Sequence, residues 1–135
     1  MKLLIDTHFV FWYALGDKRM PTKLLDLIAD PNNDILVSEA SVLEVVIKHA
    51  KNPKAMPYDG DEFVDLCSRA NFAMLPITLA DILTYGTLDL KAAEGQHKDP
   101  FDRLLIAQSK AQTIMLATHD EAFSLYGEPL AVVFA

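Results

Sequence analysis

Short apolar runs alternate along the chain with stretches in which apolar residues recur every three to four positions. The runs read as strands buried on both faces, and the periodic stretches read as helices. Their alternation predicts an α/β fold with a parallel sheet. Lys2 to Asp6 is the expected first strand, and Thr7 is positioned to cap a helix from His8 to Leu15 that Gly16-Asp17 ends. Pro21 opens a second helix, Thr22 to Ala29, with Leu24, Leu25, Leu27 and Ile28 as its apolar face. Asp34 to Val37 reads as strand two, and Ser38 as the cap of a helix from Glu39 to Lys51. A loop over Asn52 to Gly60 leads to a helix at Asp61 to Ala70 and a third strand at Phe72 to Pro76. Thr78 caps a helix from Leu79 to Tyr85, and Gly86 to Lys98 reads as a short helix plus loop. Asp99-Pro100 is a strong start signal for a helix to Gln112. Strand four follows at Ile114 to Thr118, a short helix at Asp120 to Tyr126, and strand five at Leu130 to Phe134.

Composition narrows the class. A chain of 135 residues, 51% hydrophobic, fits one domain over 1–135 with a sizeable core. No run reaches the 18 or so apolar residues that span a bilayer. The start, Met1 to Ile5 and then Phe9 to Leu15, superficially resembles a signal peptide. Asp6 and His8 interrupt it and no clean cleavage site follows, so it is read as the first strand and helix. A single cysteine, Cys67, excludes an internal disulfide and a cysteine-based zinc cage, and is consistent with a cytoplasmic setting. The net charge of −7 is unlike that of a basic nucleic-acid binder, although a bound cation or a local basic rim would offset it.

The candidate chemistry lies in four acids. Asp6 and Asp120 follow the first and fourth strands, Glu44 sits in the helix after the second, and Asp102 occupies the first turn of the helix before strand four. Strands one and four should be neighbours at the switch point of the sheet, where ligands bind outside the strand carboxyl ends. Carboxylates gathered there would repel one another unless a hard cation such as Mg²⁺ held them. Each acid also has a duller reading. Asp6, Asp99 and Asp120 suit helix starts. Asp102 gains from the helix dipole. Glu44 shares a polar stripe with Ser41, Lys48 and Lys51, so an exposed i,i+4 pair with Lys48 is the simpler reading for it alone. The four histidines show no metal-ligand spacing and read as surface or loop residues. No glycine-rich phosphate loop or nucleophile elbow is present.

The chain resembles the PIN-domain family, in particular VapC-type toxins of toxin–antitoxin pairs. Leu3-Leu4-Ile5-Asp6-Thr7-His8 is similar to the family's opening strand, and Ser38 through Glu44 to its second acidic segment. His97-Lys98-Asp99-Pro100-Phe101-Asp102-Arg103-Leu104-Leu105-Ile106-Ala107-Gln108 is the most specific match, and Leu116-Ala117-Thr118-His119-Asp120 matches the fourth. Leu43 stands where the subgroup often has Trp, and His119 where it often has Arg. The resemblance implies a three-layer α/β/α sandwich with a five-stranded parallel sheet in the order 3-2-1-4-5. It implies an endoribonuclease that hydrolyses RNA phosphodiesters with Mg²⁺ or Mn²⁺, with Asp6, Glu44, Asp102 and Asp120 as catalytic metal ligands and Asp99 as a helper. Lys98 and Arg103 are the first choices for substrate contacts, with Thr7 and Thr118 behind them. A homodimer and a small VapB-like antitoxin are the implied partners. The rival is a non-catalytic PIN-like module that binds RNA or protein. Receiver and haloacid-dehalogenase-like phosphatase patterns fit poorly: Asp6-Thr7-His8 lacks the second acid that either needs.

Overall fold

The computed structural model describes residues 1–135. Its strands are β1 (Lys2–Ile5), β2 (Asp34–Ser38), β3 (Ala73–Leu75), β4 (Met115–Thr118) and β5 (Ala131–Val133). Its helices are α1 (Thr7–Ala14), α2 (Thr22–Ala29), α3 (Glu39–Lys51), α4 (Gly60–Arg69), α5 (Leu79–Tyr85) and α6 (Pro100–Gln112), with a 3₁₀ helix at Glu121–Tyr126. The sheet is parallel in the order β3-β2-β1-β4-β5. β1 is central: Leu3 pairs with Ile35 of β2 on one side and Met115 of β4 on the other. The chain leaves β1 for β2 and β3, then crosses to β4, so the switch point falls between β1 and β4.

The two-residue period of the strands divides the core. Leu3, Ile5, Ile35, Val37 and Ala117 face one side with Phe9, Val10, Leu24, Val45 and Phe63 from α1 to α4. Leu4, Leu36 and Leu116 face the other with Leu105 and Ile106 of α6 and Phe123. No helix is long and apolar enough to cross a membrane.

Local departures from the sequence reading have local causes. β1 stops at Ile5 because Asp6, not Thr7, caps α1: its side chain accepts the Phe9 N–H. α4 starts at Gly60, since Asp59 and Glu62 form a reciprocal capping box. A Cβ at Gly60 would stand 2.6 Å from Val46 Cγ2, so glycine lets α4 begin against α3. Gly86 to Lys98 forms no helix. Leu88 and Ala93 are pulled into the second core, and Gly95 turns the chain with φ +79°. The element after Asp120 is a 3₁₀ helix, ended by Gly127 at φ +65°.

Candidate functional site

The carboxyl ends of β1 and β4 bring the first acids together. Asp6 is buried. Its Oδ1 accepts the Phe9 N–H at 3.1 Å, and its Oδ2 accepts the Thr118 hydroxyl at 2.6 Å. The Thr118 hydroxyl in turn accepts the Asp120 N–H at 3.1 Å, which ties the two strand ends together. On the other side, the Thr7 hydroxyl donates to Glu44 Oε1 at 2.8 Å and lies 2.9 Å from Ser41 Oγ. Glu44 does pair with Lys48, at 2.6 Å. The face is not the wet one the isolated helix suggested, however: Ser41 and Glu44 are buried, while their neighbours Leu43 and Val46 are exposed. The first half of the polar stripe of α3 turns inward because Thr7, at the start of α1, offers it a hydroxyl.

α6 delivers the rest. Asp99 caps it, accepting the Phe101 and Asp102 N–H groups. Asp102 stands in its first turn, and its donor atoms lie within 4.8 Å of those of Asp120 and His97. Burial, together with the charges of Asp99 and Glu44, pushes the Asp102 carboxyl up to about 6, against an opposing bond from His97. Lys48 answers the same field. Burial works to lower its ammonium, but Glu44, Asp99 and Asp102 outweigh that and raise it. The His119 imidazole is raised by Asp6, then by Asp120 and Asp102. Five acids thus share one electrostatic pocket. Crowded carboxylates, one of which resists ionising, form an oxygen donor set that suits a hard divalent cation.

The histidines were expected at the surface or in loops, and two of the loop histidines are drawn into contact with the acids. His97 is buried, with Nδ1 2.6 Å from the Tyr126 hydroxyl and Nε2 3.0 Å from Asp102 Oδ2. The sequence signal was its place inside the most specific motif, where the acids, Lys98 and Arg103 drew notice instead. His119 packs against Trp12 and Phe9 and sets Nδ1 3.5 Å from Asp6 Oδ2. His8 is exposed beside it.

The substrate candidates fall into two groups. Thr7 and Thr118 are buried with their hydroxyls occupied by Glu44 and Asp6, so they orient acids instead of facing solvent. Arg103 donates Nε to the Tyr126 hydroxyl and Nη2 to the His97 carbonyl, both at 2.9 Å. It also lines, with the exposed Lys98, Leu90, Lys91 and Glu94, a surface cavity of about 290 Å³. Larger surface cavities lie elsewhere, for example over the starts of β2 and β3. They hold no comparable cluster of donors, and chemistry places the site at the acids.

Residues 3–129 match the family model described as PIN domain. No curated protein matches the sequence. Among solved structures, the chain is similar to VapBC2 of Rickettsia felis bound to a promoter DNA fragment, at 18% identity over 98% of this chain and 97% of that one, with a TM-score of 0.68. A toxin–antitoxin complex from Klebsiella pneumoniae aligns at 20% identity over 97% and 96%, TM-score 0.61. VapC20 of Mycobacterium tuberculosis, described as a sarcin–ricin loop cleaving toxin, aligns at 17% identity over 96% and 98%, TM-score 0.59. Likeness at these identities concerns the fold, and the strand order agrees with it.

Proposed function

The chain belongs to the PIN-domain family, and from that premise we propose that it is a divalent-metal-dependent endoribonuclease, the toxin of a VapBC-type pair, with residues 1–135 as one catalytic domain. One observation carries the reading: acids that follow β1 and β4 and acids of α3 and α6 lie in one another's electrostatic field, where burial and the charges of Asp99 and Glu44 raise Asp102 to about 6. In this reading Asp6 and Asp102 hold Mg²⁺ or Mn²⁺, with Glu44 and Asp120 beside them and Asp99 as an outer helper. Such an ion, when bound, makes water acidic enough to ionise near neutral pH and offsets charge on phosphate oxygens.

The remaining residues position this set. Thr118 holds Asp6, Thr7 holds Glu44, and His97 aligns Asp102 while Tyr126 and Arg103 hold His97 in place. With a net charge of −7, phosphate attraction must be local, and the Lys91, Lys98 and Arg103 cavity supplies it. Partner readings rest on exposed apolar side chains as well as on the family. Leu79, Ile82 and Leu83 of α5 suit a second copy of the chain. Leu43, Val46 and Ile47 of α3, with Val64 of α4, suit an antitoxin helix.

Cleavage of an RNA pool in Mg²⁺ or Mn²⁺ tests the proposal. Wild type should cut, chelator should stop it, and Asp6→Asn should not cut. Equal cutting by Asp6→Asn and wild type would refute the mechanism. A folded wild type that binds RNA without cutting it would be the non-catalytic module.

A further inference from the structure

Two imidazoles flank Asp6, and the nuclease reading uses neither. His8 projects from the first turn of α1, and His119 follows β4. Their rings meet edge to face with centroids 4.7 Å apart. The donor atoms of Asp6, His8 and His119 all lie within 4.8 Å of one another. His119 Nδ1 is buried and makes no hydrogen bond, since Asp6 Oδ2 stands off at 3.5 Å, an expensive arrangement for a ring nitrogen unless a ligand completes it. His97 is the contrast, since both its nitrogens are engaged within the protein. Packing against Trp12, at 4.8 Å between centroids, and against Phe9 sets the orientation of the His119 ring.

Imidazole suits zinc, cobalt and nickel and is a poor donor to magnesium. We propose that Asp6, His8 and His119 form a transition-metal site of the three-ligand, open-position kind, sharing Asp6 with the acid pocket. Donors around a tetrahedral ion at 2.0–2.1 Å stand about 3.3 Å apart. His8, the exposed member of the three, is the one with room to turn toward that separation. The site needs only these three side chains, so it stands whether or not the chain cleaves RNA.

Co²⁺, an optical stand-in for Zn²⁺, tests this on the full chain. Titration should give visible absorption of four- or five-coordinate intensity at one equivalent, reversed by Zn²⁺. His8→Gln and His119→Gln should each weaken Co²⁺ binding about tenfold or more, while His49→Gln, whose ring bonds the Met56 carbonyl, should not. Circular dichroism checks the fold of each variant, and His8→Gln, altered at an exposed position, keeps the test decisive if His119→Gln misfolds. Co²⁺ bound equally well by His8→Gln and wild type, or bound with only a weak six-coordinate spectrum, overturns the proposal. The readout involves no RNA: an inactive protein that binds Co²⁺ through both histidines would refute the nuclease reading alone.

Discussion

Asp81 and Asp102 are both carboxylates shielded by α6, and their environments act in opposite directions. Asp81, fully buried at the start of α5, accepts the Thr78 N–H at 2.9 Å, Gln108 Nε2 at 3.2 Å and Gln112 Nε2 at 3.0 Å. Burial alone would raise its pKa, yet these donors outweigh it and hold the carboxyl below its ordinary range. Gln108 extends the knot to the Ser38 hydroxyl and the Pro76 carbonyl. Asp102, near the other end of α6, has the reverse balance: burial and two neighbouring carboxylates against one imidazole. A buried acid supplied with donors is structural and finished. A half-buried acid surrounded by other acids has lone pairs to spare, the kind of donor a hard cation takes.

The sharpest way to break this contrast is at the acids themselves. Asp6→Asn and Asp102→Asn keep shape, and asparagine still caps α1. Each should cut RNA cleavage by on the order of 10³-fold with an unchanged circular dichroism spectrum. At the finished knot the effect moves from activity to stability. Asp81→Ala strands two glutamine amides and should cost about 3 kcal/mol in urea unfolding, with the cleavage rate per folded molecule intact.

Acidity separates the two regions further. Asp102 holds its proton more tightly folded than unfolded, so between pH 3.8 and about 6 the folded state carries more protons and stability falls as pH rises. In chelator the loss should be on the order of 2 kcal/mol, absent in Asp102→Asn and reversed by excess Mg²⁺. Asp81, with its lowered value, contributes with the opposite sign: its stabilisation is present above the ordinary carboxylate range and disappears as pH falls through its native value. The smallest change is Lys48→Met, which removes a half-exposed partner of Glu44 and should shift unfolding by about 1 kcal/mol or less.

Legibility in the sequence followed the range of the interactions. Caps and starts are set by adjacent residues, so the bounds of α2, α3, α5 and α6 were readable, as was the strand order once the resemblance was drawn. Asp6 and Asp120 were visible because they follow strands, and Asp102 because it sits in a helix start marked by Asp99-Pro100. The Asp81 knot went unremarked, since Gln108 reads as an ordinary helical residue until α5 is folded against it. His97 does lie in loop, but its burial went unseen because its partners, Asp102 and Tyr126, are 5 and 29 positions away. Glu44 misled when read alone, because Thr7, which draws it inward, is 37 residues distant.

The bond from Thr118 to Asp6 spans 112 positions, and it carries a lesson about timing. A nascent polypeptide leaving the ribosome holds Asp6 from its first moments but has nothing to close over it until β4 emerges and docks beside β1. The cup is among the last things completed, so a growing or truncated chain lacking β4 has no assembled acid pocket.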